Sequence, residues 1–115
     1  MVEFLIAGAF ALALAAMSLR AGRRFAGERL LPMQWGLDGR VNWSAPRALA
    51  LAFMPVLGLL ALGGMAAMMR FGPPPRAGQE GLEIPVLLSA GVILLGAHWF
   101  HLRLVARALR RRGRG

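Results

Sequence analysis

Three long apolar runs divide this sequence into charged and uncharged segments. No Arg, Asp or Glu occurs within residues 4–19, 48–69 or 84–102. Each run approaches the roughly 20 residues that an α-helix needs to cross about 30 Å of hydrocarbon. The pattern therefore predicts an all-α integral membrane protein in which residues 1–115 form a single domain. The three transmembrane helices are expected at about residues 2–19, 46–69 and 84–109.

Composition supports a membrane protein and argues against an enzyme. Hydrophobic residues make up 57% of the 115 residues, and the mean hydropathy is +0.56 despite a formal charge of +9. A soluble domain of this length has no interior large enough to bury three such segments. The chain has no cysteine, and its serines, histidines and carboxylates show no spacing typical of a catalytic dyad or triad. We therefore expect neither catalysis nor a metal site.

The arginines predict the orientation of the helices. All fourteen basic residues are arginines: six lie between the first two runs and six follow the third, whereas only Arg70 and Arg76 lie between the second and third. Because cytoplasmic segments retain positive charge, the amino terminus is expected outside and the carboxyl terminus inside a bacterial inner (cytoplasmic) membrane. Glu3 precedes the first run and Arg20 follows it, which is the reverse of the charge order in a signal peptide.

The segment after the third run is a basic amphipathic extension of the third helix. Four of its arginines recur at i, i+4, i+7 and i+8, with apolar residues on the opposite side. Such a helix suits the anionic lipids of the inner leaflet, where each basic residue contributes about 1 kcal/mol. The segment has no interleaved aromatic residues that would stack on bases, so nucleic acid is not an expected partner. The expected lipid-contacting residues are Arg103, Arg107, Arg110 and Arg111.

Two histidines lie near the end of the third apolar run. Their i, i+3 spacing puts His98 and His101 on roughly one face of the helix. Because this part of the helix should approach the cytoplasmic interface, beside Trp99 and Arg103, we interpret both as amphipathic interface residues, and no cofactor is expected. The alternative is axial ligation of haem or chlorophyll by one imidazole, since Ala97-x3-His101 resembles the small-x3-His pattern of light-harvesting polypeptides.

Most of the distinctive polar residues lie between the first two runs, at residues 31–47. Pro32 and the Asp38-Gly39 pair indicate a non-helical loop, and a proline at the end of the segment is typical of the first turn of the helix that follows. Two tryptophans are suited to anchor the loop at head-group depth. The residues expected to form this motif loop are Pro32, Gln34, Trp35, Asp38, Gly39, Asn42, Trp43 and Pro46.

The loop has the order Pro32-x-Gln34-Trp35-x3-Gly39-x2-Asn42, and Pro46-Arg47 and an apolar helix follow it. This order resembles the Pro-x-His-[Trp/Phe]-x3-Gly-x-Pro-[Asp/Asn] motif of the SdpI-like membrane family, which also lies between two transmembrane helices. The chain differs from the motif at Gln34, in place of histidine, and at Val41, in place of the second proline. The resemblance implies a partner-binding membrane protein, with a role in immunity or signalling, that acts through residues 32–43.

A second hypothesis is an accessory subunit of a larger respiratory, photosynthetic or transport complex in the membrane. Ala7, Ala11 and Ala15 recur every four residues along the first helix, and small residues let neighbouring helices approach closely. Packing among the three helices of this chain would use the same stripe. A third hypothesis is that the protein carries haem or chlorophyll through His98 or His101. Membrane lipids are expected partners in every case, and other membrane subunits in the second.

Overall fold

The computed structural model describes residues 1–114 as three α-helices and one β-hairpin. In chain order the elements are α1 (Val2–Arg24), β1 (Leu30–Trp35), β2 (Val41–Pro46), α2 (Arg47–Phe71) and α3 (Glu83–Arg114). The hairpin thus connects α1 to α2. Gly115, the last residue of the expected single domain, lies outside the described residues.

All three helices are long and apolar enough to cross a membrane, which confirms this part of the sequence prediction. They contain 23, 25 and 32 residues and so measure about 34, 38 and 48 Å. In each helix, at most 22% of the apolar 18-residue stretch that could cross a membrane is buried inside the protein. Most of the apolar side chains therefore face outward. α1 and α3 continue beyond the predicted ends at residues 19 and 109, since arginine favours helix and complements the negative charge of a helix carboxyl end.

Most of the segment expected to be an irregular loop belongs to an antiparallel β-hairpin, so the all-α prediction is wrong at residues 30–46. The strands pair from Leu30 opposite Pro46 to Trp35 opposite Val41, with register irregularities within β1. Pairing provides the backbone amide and carbonyl groups of this segment with hydrogen-bond partners, which backbone groups need wherever they are buried from water. Pro46 ends β2 and immediately precedes α2, whereas the sequence pattern predicts it in the first helical turn.

The turn at residues 36–40 closes the hairpin. The Gly36 amide donates a hydrogen bond to the Arg40 carbonyl at 2.9 Å, and the Gly39 amide donates to the Gly36 carbonyl at 3.0 Å. The Asp38 carboxylate accepts a hydrogen bond from the Arg40 amide at 3.1 Å. Gly39 has a φ of +82°, a conformation that residues with a β-carbon rarely adopt. The Asp38-Gly39 pair therefore determines where the chain reverses.

The apolar side chains buried between the elements form two clusters at opposite ends of the molecule. One cluster joins the start of α1, the end of α2 and the start of α3 through Ala7, Ala66 and Leu87. The other joins the end of α1, the start of α2, the end of α3 and the hairpin, so successive helices alternate in direction. We call it the hairpin-end cluster; its buried residues are Ala21, Phe25, Leu31, Ala45, Ala50, Val105 and Ala106.

The end of α1 is also held by the first residue of α2. The Arg47 guanidinium donates a hydrogen bond to the Gly22 carbonyl at 2.9 Å, and the Arg47 amide donates to the Arg29 carbonyl at the same distance. The last carbonyls of a helix have no partner within that helix. Arg47 therefore caps α1 and fixes the segment that leads into the hairpin.

Close approach of the helices between the two clusters depends on glycine. A β-carbon at Gly58 of α2 would collide with the Leu14 side chain of α1, and a β-carbon at Gly91 of α3 would collide with the Phe10 ring. By contrast, a β-carbon at Gly96 of α3 would meet nothing within 4 Å. Gly58 and Gly91 therefore let the helices pack at short distance, as small residues do in membrane helix pairs.

Candidate functional site

The inner face of the hairpin is buried against the ends of the helices. Leu31 and Ala45, which are partners across the two strands, are 1% and 2% exposed and belong to the same cluster as Phe25 and Val105. Pro32 of the motif is buried as well. Burial of a leucine-sized side chain contributes about 1.5–3 kcal/mol. The hairpin is therefore part of the hydrophobic core and has a fixed base.

The outer face of the hairpin is exposed. Trp43 is 54% exposed despite its size, and Leu37 at the turn is fully exposed. Exposed large apolar side chains among polar ones are typical of contact surfaces. We call Gln34, Leu37, Asn42 and Trp43 the hairpin surface. The exposed residues of the predicted motif loop are Gln34, Asp38, Gly39, Asn42, Trp43 and Pro46.

Trp35 connects the hairpin to α3. Its ring meets the His101 imidazole edge-on, with ring centroids 5.5 Å apart and an interplanar angle of 75°. Both side chains are half-buried. Edge-to-face pairs between aromatic rings contribute about 0.5–1.5 kcal/mol beyond the area that they bury. The structure thus brings the motif loop into contact with the histidine pair, two features that no spacing in the sequence relates.

A cleft of about 540 Å³ lies between the hairpin and the end of α3. Its hairpin wall consists of Trp35, Gly39, Arg40 and Val41. Its helix wall is one face of α3, formed by Leu104, Arg107, Ala108, Arg111 and Arg112. All four arginines are exposed. We call this feature the arginine cleft, because it combines four guanidinium groups with an apolar lining.

The two other arginines expected to contact lipid lie outside this cleft. Arg103 lies over the Trp99 ring, with its Cζ 5.2 Å from the ring centroid, which is a cation–π contact. Arg110 borders a separate depression that it shares with Arg24 and Glu28. The basic extension therefore presents arginines on several sides of α3, while its apolar side packs into the hairpin-end cluster.

His98 lies at a contact between all three helices. Its side chain is 1% exposed, so the interpretation of both histidines as interface residues is wrong for His98. The His98 Nε2 lies 2.9 Å from the Oγ of Ser18 in α1. The same Oγ donates a hydrogen bond to the Leu51 carbonyl of α2 at 2.6 Å. The buried position follows from the crossing of α1 and α3, which encloses this face of α3.

Pro55 explains why the Leu51 carbonyl accepts a hydrogen bond from another helix. In an α-helix each carbonyl accepts from the amide four residues later, and the residue four after Leu51 is Pro55, which has no amide hydrogen. Ser18 supplies the missing donor from α1, as serine and threonine do beside prolines of membrane helices. We call Ser18, Leu51, Pro55 and His98 the three-helix node.

The three-helix node also determines where His98 carries its proton. The single hydroxyl hydrogen of Ser18 is donated to Leu51, so the Ser18 Oγ accepts a hydrogen bond from the Nε2–H of His98. The other ring nitrogen, Nδ1, is buried without a hydrogen-bond partner within residues 1–114.

A haem or chlorophyll ligand needs a ring nitrogen that faces open space. The His98 ring is instead enclosed by the helices, and His101 is packed against Trp35.

Comparison of the chain with protein-family models, with curated proteins and with solved structures finds no match. The resemblance to the SdpI-like family therefore stays a prediction from the residues of the motif. Within residues 1–114, no group of three or more His, Cys, Asp or Glu side chains could hold a metal ion.

Several residues of these sites were not identified from the sequence. Ser18 belongs to the three-helix node, and Arg40 and Arg112 line the arginine cleft. Arg40 could not be related to α3 by spacing, because the hairpin that brings it there was not predicted. For Ser18 a signal was present, since a proline within an apolar helix indicates a carbonyl that requires another donor.

Proposed function

We propose that this chain is a multi-pass protein of the bacterial inner (cytoplasmic) membrane that binds a protein partner through the hairpin surface. The observation that carries the proposal is the two-sided hairpin, whose inner face is buried on all three helices while Leu37 and Trp43 are exposed. A fixed base reduces the conformational entropy lost on binding, and exposed aromatic and aliphatic groups supply contact area. Both properties are expected of a recognition element.

The role that we propose for partner binding is immunity or signalling. It follows from the similarity of the Pro32 to Asn42 motif to that of the SdpI-like family. Gln34 replaces the histidine of that motif and is exposed on the hairpin surface. A neutral amide both donates and accepts hydrogen bonds and does not titrate. In this proposal, recognition therefore does not depend on protonation of residue 34.

We further propose that the hairpin faces the cytoplasm and that the amino terminus faces outside. Twelve of the fourteen arginines belong to residues 20–47 and 103–114. The hairpin-end cluster joins these two segments at one end of the helices. Positively charged segments are retained on the cytoplasmic side, which supports this orientation.

A second candidate function is that of an accessory subunit in a larger membrane complex. It is favoured by Gly63 and Gly64 of α2, where an added β-carbon would meet nothing within 4 Å. Open glycines on an outward face let a helix of another protein approach closely. In this case the recognition surface would be the apolar face of α2 instead of the hairpin.

Photo-crosslinking in cells distinguishes the two functions. A photoreactive amino acid is introduced at Leu37 in one variant and at Gly64 in another, and the adducts are identified by mass spectrometry. The proposed function predicts a defined protein adduct from position 37 and only lipid adducts from position 64. A defined protein adduct from position 64 alone supports the accessory subunit. No protein adduct from either position contradicts both functions.

A visible absorption spectrum tests the third hypothesis, that of a haem or chlorophyll carrier. Protein purified in mild detergent should be colourless, because His98 is enclosed at the three-helix node and His101 is packed on Trp35. A porphyrin absorption band that is lost in His101→Ala or His98→Ala would overturn the partner-binding proposal in favour of cofactor carriage.

A further inference from the structure

The arginine cleft holds positive charge that the protein itself neutralises only weakly. Its nine lining residues include four arginines and, within the described part of the chain, no acidic side chain. Asp38 lies 3.8 Å from the Arg40 Nε, but the two side chains are 64% and 89% exposed, and ion pairs so open to water are weak. Arg107, Arg111 and Arg112 form no ion pair within residues 1–114. The cleft is therefore complementary to an anion.

The lining of the cleft changes from apolar to charged along α3. Leu104 comes first, Arg107 follows about one turn later and Arg111 about one turn after that. The side of the cleft nearer the apolar part of α3 is thus hydrophobic, and the far side carries the guanidinium groups. A phospholipid at a membrane surface has the same order, with acyl chains and glycerol on one side and phosphate on the other. A free phosphate ion would make no use of the apolar half.

We propose that the arginine cleft binds an anionic phospholipid, with the head-group phosphate between Arg40 and the arginines of α3. The planar guanidinium donates two parallel hydrogen bonds to phosphate oxygens, which suits arginine better than lysine to this task. The glycerol and the first acyl methylenes contact Leu104, Val41 and the Trp35 ring. This inference rests on the membrane location in the proposed function, but not on the protein partner.

A nucleic acid fits the cleft less well than a lipid. Single strands bind to grooves in which several aromatic rings stack on successive bases. The cleft contains one aromatic ring, that of Trp35, and His101 already packs against it. A lipid requires only the phosphate site and the adjacent apolar wall.

Fluorescence quenching of Trp35 tests the proposal in the full chain. Trp43→Phe and Trp99→Phe leave Trp35 as the only tryptophan of the three. The protein is reconstituted in vesicles of unlabelled phosphatidylcholine. An increasing fraction of one brominated lipid is then included, either phosphatidylglycerol or phosphatidylcholine, because bromine atoms on the acyl chains quench tryptophan fluorescence on contact. Brominated phosphatidylglycerol should quench Trp35 at a mole fraction at least about tenfold lower than brominated phosphatidylcholine. Both lipids have a phosphate, but the positively charged choline of phosphatidylcholine is repelled by the four arginines of the cleft, whereas the head group of phosphatidylglycerol has no positive charge. Equal quenching by both lipids would overturn the proposal.

Matched variants distinguish lipid binding by the cleft from attraction of lipids by the total positive charge of the surface. Arg107→Gln with Arg111→Gln should remove the preference for phosphatidylglycerol. Arg23→Gln with Arg29→Gln removes the same charge from exposed positions at the same end of the molecule and should keep it. Ala108→Phe fills the cleft without changing its charge and should also remove the preference, which keeps the test decisive if the arginine variant does not fold. Loss of the preference in the Arg23 and Arg29 variant would overturn the proposal.

Two competitors distinguish the source of the phosphate. Inorganic phosphate and a short single-stranded oligonucleotide, each added in excess, should leave the quenching by brominated phosphatidylglycerol unchanged. Displacement by either one would overturn the lipid assignment in favour of a soluble anion or a nucleic acid. Crosslinking from Leu37 is measured separately, so a protein that keeps its partner but has no lipid preference contradicts this inference alone.

Discussion

At the scale of single residues, the three-helix node shows how a proline is accommodated within an apolar helix. Pro55 removes the amide hydrogen that Leu51 would accept, and Ser18 supplies another while it accepts the Nε2 hydrogen of His98. Polar groups without partners are costly in hydrocarbon, where no water replaces the missing bond. Each of the three helices therefore satisfies a polar group of another, and the node specifies how the helices pair.

Ser18→Ala should lower the free energy of unfolding by about 1–3 kcal/mol, because it leaves the Leu51 carbonyl and the His98 Nε2–H without partners. Pro55→Ala restores an amide hydrogen to Leu51, so the cost of Ser18→Ala should be smaller by about 1 kcal/mol in that background. Unfolding of the parent, the two single variants and the double variant in a denaturing-detergent titration measures both costs. Equal costs in the two backgrounds would contradict the role of Ser18 as the substitute donor.

The sequence identifies His98 as a polar residue in an apolar helix, but it does not identify the partner of His98. Ser18 is 80 residues away, and no local spacing relates positions on different helices. The i, i+3 spacing of His98 and His101 predicts a shared face, whereas the contacts of the two side chains differ because each meets a different neighbour. One is enclosed by α1, and the other meets the ring of Trp35 in the hairpin.

At the scale of elements, the packing of α1 against α3 depends on the absence of a side chain at Gly91. Gly91→Ala should lower the free energy of unfolding by about 1–3 kcal/mol, because the new methyl group overlaps several atoms of the Phe10 ring. Gly96→Ala in the same helix is the matched control and should stabilise the protein by about 0.5–1 kcal/mol, since alanine favours helix and the site is open. Thermal unfolding in detergent measures both. Similar effects of the two substitutions would show that α1 does not pack on Gly91.

The hairpin depends on the conformation of Gly39. Gly39→Val should destabilise the turn by about 1–3 kcal/mol, because a β-branched residue is strained at a φ of +82°. Hydrogen exchange of the amides of β1 and β2 should then accelerate, and the protein adduct from position 37 should decrease. Gly27→Val changes an exposed glycine that has no neighbour within 4 Å of an added β-carbon, and it should alter neither measurement. Unchanged exchange in Gly39→Val would indicate that the turn does not determine the hairpin.

The helices were predictable and the hairpin was not, for different physical reasons. A membrane helix satisfies its own backbone hydrogen bonds, so an uninterrupted apolar run suffices to indicate it. The strands have little intrinsic preference for β structure, since Val41 is their only β-branched residue and β1 contains Pro32. They form because burial of Leu31 and Ala45 against the helices favours them, and such long-range contacts are not visible in the local sequence. The Asp38-Gly39 pair indicated the turn but not the strands on either side.

At the scale of the whole molecule, length and charge are arranged along one axis. The molecule is 58 Å long, compared with about 30 Å for the hydrocarbon of a bilayer. In the proposed membrane location, this difference would leave the hairpin and the end of α3 outside the hydrocarbon. The segments that meet at this end contain twelve of the fourteen arginines, so an orientation with this end in the cytoplasm follows the positive-inside rule.

Single cysteines at Asp38 and Gln79 test this orientation. The chain has no cysteine of its own, so every labelled protein reports the introduced residue. An impermeant thiol reagent added to intact cells should label position 79, between α2 and α3, but not position 38 at the hairpin turn. Both positions should react after the membrane is permeabilised. Labelling at 38 and protection at 79 would reverse the proposed orientation.

The hairpin precedes α2 in the sequence, yet its base is completed by α3, which has a consequence for biosynthesis. A ribosome finishes residues 1–71 before any of α3 exists, so Leu31 and Phe25 are made before Val105 and Ala106 can cover them. The nascent chain therefore passes through a stage in which α1 and α2 are complete and the apolar patch at the hairpin base is still uncovered. Folding of the hairpin base therefore waits until Val105 and Ala106 have left the ribosome.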